Sequence, residues 1–183
     1  ITISAQSVNN TQGQITAGRE LNVVTTQGTV NAEGLLAANN NINISGATIN
    51  NEKGTIGSVQ GKADLIAMAG SIDNKAGRIE AAQEATISAV GLNNTDGVII
   101  GSSLSADTKA QKFDNIRGKF IATGGTTNIQ SGEVNNAAGL IQAMGALVID
   151  THGKTLGNTD SGANGGIVSQ SSVNVITGNL NNR

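Results

Sequence analysis

Apolar and polar residues alternate along short stretches of this chain, and the same arrangement returns about every 21 residues. Within Gly77–Asn94, Ile79 and Ala81 alternate with charged residues, and Ala85 and Ile87 alternate with hydroxyl residues. Alternation at every second residue is typical of a β-strand, because successive side chains leave opposite faces of the strand. Each repeat is therefore predicted to contain three short strands.

Each unit ends on a residue pair that is Asn-Asn or a close variant and that directly follows a large apolar residue. Asn31-Ala32 and Gly157-Asn158 are weaker variants of the pair. The other copies are Asn9-Asn10, Asn50-Asn51, Asp73-Asn74, Asn93-Asn94, Asp114-Asn115, Asn135-Asn136 and Asn181-Asn182. Self-similarity at a fixed period predicts a stacked repeat architecture rather than a globular core.

Three apolar positions align from repeat to repeat and predict an interior that is filled layer by layer. The first column is Ile15, Leu36, Ile56, Ile79, Ile99, Phe120, Ile141 and Ile167. The second is Val23, Ile44, Leu65, Ile87, Leu104, Ile129, Ile149 and Val175. The third is Val8, Val30, Ile49, Ile72, Leu92, Phe113, Val134, Leu156 and Leu180.

Three short strands in about 21 residues suit one coil of a parallel β-helix, in which each strand pairs with the coils above and below it. We therefore predict an all-β solenoid of about eight coils, which at about 4.8 Å per coil gives a rod of roughly 38 Å. A leucine-rich repeat is the main alternative at this period, but it requires a leucine-rich consensus and a helical return. This chain supplies β-branched residues and glycine instead, which favours the β-helix.

The second residue of each pair lies where the alternation points inward, so these side chains are predicted to stack as an internal amide ladder. The predicted members are Asn10, Asn51, Asn74, Asn94, Asn115, Asn136, Asn158 and Asn182. Ala32 is expected to interrupt the ladder in the second coil. Asparagine also tolerates the left-handed conformation that a sharp corner requires, and both roles are structural. A glycine three residues later is expected to mark the exit from the turn.

Composition narrows the classes of function. The chain of 183 residues contains no proline and no cysteine, which suits strands paired on both sides and removes disulfides and thiolate metal sites. Its net charge of −2 gives no electrostatic case for a nucleic-acid partner. No linker divides residues 1–183, so we expect one repeat domain. The chain starts in mid-alternation and stops as another repeat begins, which predicts an excerpt of a longer array with flanking repeats as partners.

The repeat can be written as an apolar residue followed by [ND]-N-x-x-G-x-I-x-A, and Ile72–Ala81 carries it most clearly. Leu92–Gly97 contains its first half again. This motif resembles the repeats of filamentous haemagglutinin and its relatives, the large exoproteins of two-partner secretion in Gram-negative bacteria, and the resemblance extends over essentially the whole chain. The pattern departs from the regular repeat at Gly57–Lys62, which is stretched, and at Asp160–Gly166, which is inserted; such irregularities are expected in surface loops.

The resemblance implies a right-handed parallel β-helix that is exported through an outer-membrane transporter and displayed on the surface of a Gram-negative bacterium. It implies a shaft that extends a distal binding or toxin region from the cell, in either an adhesin or a contact-dependent growth-inhibition exoprotein. The alternative is a binding module that uses the irregular loops to contact a host-cell or target-cell receptor or glycan.

Candidate catalytic chemistry is sparse. The single histidine, His152, shares an outward face with Asp150, and a Ser–His–Asp arrangement would need a serine from a neighbouring coil. A β-helical polysaccharide-degrading enzyme, the third alternative, needs carboxylates clustered on adjacent coils, and no column of Asp or Glu appears. Phe113 and Phe120 fall in core columns and are not available as sugar platforms. We therefore expect no enzyme activity, no cofactor and no metal site.

One stretch is locally basic and is a candidate patch for anionic glycans. Its cations are Lys109, Lys112, Arg117 and Lys119. Asp107 and Asp114 lie within the same stretch, so the favoured interpretation is a solvated outer face with mixed charge.

Overall fold

A computed structural model describes residues 1–183 as an all-β rod without helices. The first segment of each coil forms an eight-stranded parallel sheet. Its strands are β2 (Gln14–Ala17), β4 (Leu35–Ala38), β7 (Thr55–Ser58), β10 (Arg78–Ala81), β13 (Val98–Gly101), β16 (Lys119–Ala122), β19 (Leu140–Ala143) and β22 (Gly166–Ser169). The rod is therefore a parallel β-solenoid, as the repeat predicts.

The second and third segments share a sixteen-stranded sheet, because β1 (Thr2–Asn9) and β3 (Leu21–Val30) each run through both segments. The remaining second-segment strands are β5 (Ile42–Gly46), β8 (Ala63–Ala67), β11 (Glu84–Ser88), β14 (Ser103–Asp107), β17 (Thr127–Gln130), β20 (Leu147–Asp150) and β23 (Val173–Ile176). The remaining third-segment strands are β6 (Thr48–Asn50), β9 (Ile72–Asp73), β12 (Leu92–Asn93), β15 (Phe113–Asp114), β18 (Val134–Asn135), β21 (Thr155–Asn158) and β24 (Asn179–Asn182).

The solenoid has about nine turns rather than the predicted eight. The chain enters the rod in a second segment, so the second and third segments each occur once more than the first. The first apolar column has only eight members, so a count based on it gives one turn too few.

The first apolar column is confirmed by the strand register. Ile79 pairs with Ile56 on one side and Ile99 on the other, and the column continues through Phe120. These four side chains have no exposed surface. Phe120 packs edge to face on Phe113, with ring centroids 5.4 Å apart, so both aromatic residues are committed to the core.

The second column requires one correction. Leu104 pairs with Ala85, whereas Ala106 pairs with Ile87 and occupies the predicted column. The second segment has two inward positions per coil, and this coil carries its large residue at the first of them while its neighbour carries it at the second. Each large residue therefore lies beside a small one in the next coil, and the packed volume of the two layers stays similar. Choosing the large residue in each coil assigns Leu104 to the wrong column.

The third column also requires a correction in the second coil. Thr29, not Val30, pairs with Val8 and Ile49, and it is 1% exposed whereas Val30 is 37% exposed. The register between β1 and β3 shifts after Ala5. The inward position therefore falls one residue earlier than the apolar residue suggests.

Thr29→Val should stabilise the rod, by about 1–2 kcal/mol, because the Thr29 hydroxyl is buried without a hydrogen-bond partner. Valine has nearly the same shape and removes the unpaired polar group. The change is measurable as a higher midpoint in urea denaturation.

Thr151→Val is the matched control, since the Thr151 hydroxyl donates to the carbonyl oxygen of Lys154 at 2.8 Å. It should lower the free energy of unfolding by about 1 kcal/mol. Equal shifts in the same direction for both variants would contradict this assignment of the Thr29 side chain.

Candidate functional site

The most regular feature of the rod is a column of asparagine side chains at the corner between the third and first segments. Each Nδ2 donates to the Oδ1 of the asparagine in the next coil, and every one of these bonds is 2.7 Å long. The column consists of Asn10, Asn31, Asn51, Asn74, Asn94, Asn115, Asn136, Asn158 and Asn182. Asn182, at the end of the rod, is exposed, and the other members are buried.

The expectation that Ala32 interrupts this column is wrong. Asn31 occupies the inward position, because Thr29 occupies the apolar position before it. Asn31 accepts from Asn10 and donates to Asn51. The amide ladder is therefore continuous through all nine coils.

Only a primary amide satisfies this position. The Nδ2 group of Asn115 donates to Asn136 Oδ1 at 2.7 Å, to the Gly118 carbonyl at 3.3 Å and to the Leu140 carbonyl at 3.1 Å. Its Oδ1 accepts from Asn94 at 2.7 Å. A carboxylate accepts but cannot donate, which explains why the second residue of the pair is never aspartate.

The residue before the ladder amide has a different role: it is Asn or Asp in seven coils, and Val30 and Gly157 occupy the position in the other two. In five coils its Oδ1 accepts the backbone N–H two residues later; Lys75 donates to Asp73 at 3.0 Å, and Thr95 donates to Asn93 at 3.1 Å. This Asx turn needs only an acceptor. The pair thus combines a turn cap with a ladder amide.

The ladder asparagines do not adopt the left-handed backbone conformation, which was the second role expected for them. That conformation belongs to the residue two positions later, which has φ of 56° at Asp96 and 52° at Arg117. The glycine that follows has no positive φ at Gly97 or Gly118. A Cβ on Gly97 would lie closer than 3.0 Å to the carbonyl oxygen of Asn74, a separation that Cβ atoms essentially never show. Glycine is therefore required by close approach between coils.

His152 lies at the corner between the second and third segments. Its ring Nδ1 is 2.8 Å from the carbonyl oxygen of Ser131, and its backbone N–H donates to Asp150 Oδ1 at 2.8 Å. The ring contacts a carbonyl rather than a serine hydroxyl, so the geometry does not form a catalytic triad. No group of three or more His, Cys, Asp or Glu side chains is placed to bind a metal ion.

The locally basic stretch does not form a patch of free cations. Arg117 makes a two-point contact with Asp96 at 2.7 and 2.8 Å. Lys112 lies 3.0 Å from Asp114 and 3.7 Å from Glu133, and Lys109 pairs with Asp107. Lys119 is exposed on β16 and has no carboxylate partner within 4.0 Å. The four predicted residues therefore contain one unpaired cation.

These ion pairs set the direction of four pKa shifts. The hydrogen bond from Arg117 lowers the pKa of Asp96, and the hydrogen bond from Lys109 lowers the pKa of Asp107. In the opposite sense, the bond to Asp114 raises the pKa of Lys112, and the bond to Asp96 raises the pKa of Arg117. All of these groups lie near the surface, where solvent weakens such interactions.

The stability of the rod should be nearly independent of pH between about 5 and 9, because its buried polar residues are all Asn, Thr or Ser. The lowered pKa values of Asp96 and Asp107 make a small contribution to the free energy of unfolding. This contribution is present above the ordinary carboxyl pKa and is lost as the pH falls through the pKa of the folded state. The raised pKa of Lys112 makes a further small contribution to the free energy of unfolding, which is lost at alkaline pH as the pH rises through the pKa of the folded state. A urea midpoint that changes steeply within this range would contradict the assignment.

The insertion Asp160–Gly166 follows β21, ends at the first residue of β22 and borders the outer face of the eight-stranded sheet. Together with Lys119 and Gln142 it borders a cleft of about 510 Å³. The stretched repeat at Gly57–Lys62 connects β7 to β8, where the backbone N–H of Gly61 donates to the Ser58 hydroxyl at 2.9 Å.

Parallel strands, stacked apolar columns and an internal amide ladder define a β-solenoid repeat protein. Four overlapping matches to the family model for the haemagglutinin repeat, at residues 2–76, 59–116, 114–156 and 143–183, extend over nearly the whole chain. The chain therefore belongs to the haemagglutinin repeat family. No curated protein and no solved structure matches it. No helix is long and apolar enough to cross a membrane.

Proposed function

We propose that this chain is a shaft segment of a secreted, surface-displayed bacterial exoprotein of the filamentous haemagglutinin type. It extends a distal binding or toxin region from the cell. Both an adhesin and a contact-dependent growth-inhibition exoprotein use such a shaft in the same way. Export through an outer-membrane transporter of a two-partner system is part of this proposal.

The observation that carries the proposal is that the repeated residues pack the interior or cap the corner turns, whereas the outward residues of the first-segment strands do not repeat. In the first segment the inward column holds Ile56, Ile79 and Ile99, whereas Thr55 and Arg78, at one outward position, differ in charge and size. When the repeated residues serve only to build the rod, the repeat encodes a scaffold rather than a binding surface. Recognition then belongs to irregular surfaces or to other regions of the polypeptide.

Stiffness follows from the same contacts. Each coil pairs with its neighbours through parallel backbone ladders in every segment, and the asparagine column adds a ladder of side-chain bonds along the rod axis. Contacts join mainly adjacent coils, so a chain that emerges through a transporter can fold coil by coil. The absence of cysteine means that this folding needs no disulfide formation.

Exchanging one coil for another tests the shaft proposal. Deleting Asn94–Asp114 from the secreted polypeptide joins Asn93 to Asn115 and restores the asparagine pair. A second variant combines this deletion with duplication of Asn115–Asn135, which returns the rod to its original number of coils.

The shaft proposal predicts that the length-restored variant contacts target cells as well as the wild type does. Its failure to do so, while it remains folded and displayed, would show that residues of Asn94–Asp114 bind the target directly. The deletion variant alone measures the dependence on length, with an expected shortening of about 4.8 Å.

A further inference from the structure

The rod has one corner that departs strongly in length from the others. After Asn136 the chain runs through Ala138 to Gly139 and at once enters β19. After Asn158 it reaches Asp160, which has the same left-handed conformation, and then adds Ser161–Asn164 before it enters β22. The added residues are unnecessary for the turn, because the other corners close without them.

These added residues create the cleft on the outer face of the eight-stranded sheet. Its floor consists of Leu140 and of Ile121, Gln142 and Val168, which lie side by side on three neighbouring strands, and Val168 is 44% exposed. Its polar groups are the side chains of Lys119, Gln142 and Asn164. A volume of about 510 Å³ lies within the range of small-ligand sites. The lining of the cleft is half aliphatic and half polar, which suits a ligand that carries both hydroxyl groups and a C–H face.

The charge of the cleft comes from Lys119 alone. No Asp or Glu lines it, and Lys119 has no ion-pair partner, whereas Lys112 and Arg117 are bound to carboxylates. Lys119 and Asn164 are far apart in sequence and meet only because the coils stack. The loop and the free cation therefore form one surface.

We propose that this cleft binds an acidic saccharide through a single carboxylate. Lys119 pairs with the carboxylate, the amides of Gln142 and Asn164 bond sugar hydroxyl groups, and the C–H face of the ring packs on Leu140, which is paired with Lys119 in the register. Primary amides suit hydroxyl groups because they both donate and accept. This proposal is independent of the shaft proposal, because a shaft functions with or without a ligand on its side.

Other ligands fit the cleft less well. A polysulfated chain needs a row of free cations, and the cleft has one. An extended peptide gains affinity by pairing with a strand edge, but the central strands of the floor, β16 and β19, are paired on both sides.

Isothermal titration calorimetry with a galacturonate trisaccharide tests the proposal on the whole chain. The comparison ligands are its methyl ester, which lacks the charge, and a heparin fragment, which is a polyanion. Three variants complete the test. Lys119→Met removes the cation, deletion of Ser161–Asn164 removes the wall and restores the regular corner, and Lys53→Met removes an exposed cation outside the cleft.

The expected result is binding of the galacturonate trisaccharide, with affinity lowered about tenfold or more by Lys119→Met. Loss of binding on deletion of the wall and no change with Lys53→Met are also expected. Equal affinity for the methyl ester, unchanged affinity in both cleft variants, or no binding at millimolar ligand would each overturn the proposal. Tighter binding of heparin that Lys53→Met also weakens would point instead to diffuse polyanion attraction.

Discussion

Asn115→Asp should destabilise the rod by about 3–5 kcal/mol, the size of effect seen when a buried charge is left without a partner. The substitution is nearly isosteric, so packing changes little. It removes the donor that reaches Asn136 Oδ1, Gly118 and Leu140, and it turns a carboxylate oxygen toward those acceptors. The site has no exposed surface, so water cannot compensate. Urea denaturation at neutral pH measures the loss.

Asn9→Asp is the matched control, at the first position of the pair in another coil. Asn9 Oδ1 accepts from the backbone N–H of Thr11 at 3.0 Å, aspartate already has this role at Asp73, and the residue paired with Asn9 in the next coil is Val30 rather than a carboxylate. We expect a change within about 0.5 kcal/mol. A similar loss in both variants would show that negative charge at this corner, rather than the missing ladder donor, causes the effect.

The Asn115→Asp variant should also acquire a pH dependence that the wild type lacks. Burial and the surrounding acceptors raise the pKa of the new carboxyl above its unfolded value. The destabilisation should therefore decrease as the pH is lowered through the folded pKa, because the protonated carboxyl can donate one hydrogen bond. A destabilisation that stays constant down to pH 4 would contradict a buried, acceptor-lined site.

Gly97→Ala should be the second large effect, with a loss of about 3 kcal/mol. The added methyl group meets the backbone carbonyl of Asn74 in the neighbouring coil and the Oδ1 of Asn94 in its own coil. Both oxygens are held by hydrogen bonds, since the backbone N–H of Gly77 donates to the Asn74 carbonyl at 3.0 Å and Asn74 Nδ2 donates to Asn94 Oδ1 at 2.7 Å. The two coils must move apart locally to admit the methyl group. The loss of stability therefore comes from the distance between coils rather than from an unfavourable φ at residue 97.

Gly57→Ala provides the contrast. Gly57 lies in β7 on the outer face, and a Cβ there has no atom within 4 Å. Alanine should be neutral or stabilising by about 0.5 kcal/mol, because it reduces the entropy of the unfolded chain. Equal losses at Gly97 and Gly57 would show that glycine is needed for strand flexibility rather than for close approach between coils.

The repeat of about 21 residues determines which side chains fill the interior of the rod, so most of these side chains could be predicted from the sequence. The first column from Ile15 to Ile167 follows directly from the spacing, and the strand register confirms it. The two errors, at Val30 and Leu104, share a cause. Each came from choosing the largest apolar residue near the expected position, whereas the inward positions hold Thr29 and Ala106. A buried column accommodates small or hydroxyl residues when the neighbouring layers fill the space.

The corner geometry was less accessible from sequence. Asparagine and glycine both suggest left-handed backbone, yet this conformation falls on residues such as Arg117 and Ala138, which have no preference for it. The need for glycine arises between coils and depends on their separation. The sequence locates the insertion, but whether it borders a cleft with Lys119 depends on which face the loop covers, and that is set by the fold rather than by local sequence.

Hydrogen exchange of the asparagine side-chain amides, followed by NMR, tests the continuous ladder most directly. We expect strong protection at Asn31, Asn74 and Asn115, whose Nδ2 groups donate within the buried column, and rapid exchange at Asn9 and Asn50, where only Oδ1 is hydrogen-bonded. Asn31 is the decisive residue, because the sequence pattern alone excludes it from the ladder. Rapid exchange at Asn31, or equal exchange at both positions of the pairs, would contradict an internal amide ladder as the organising feature of this rod.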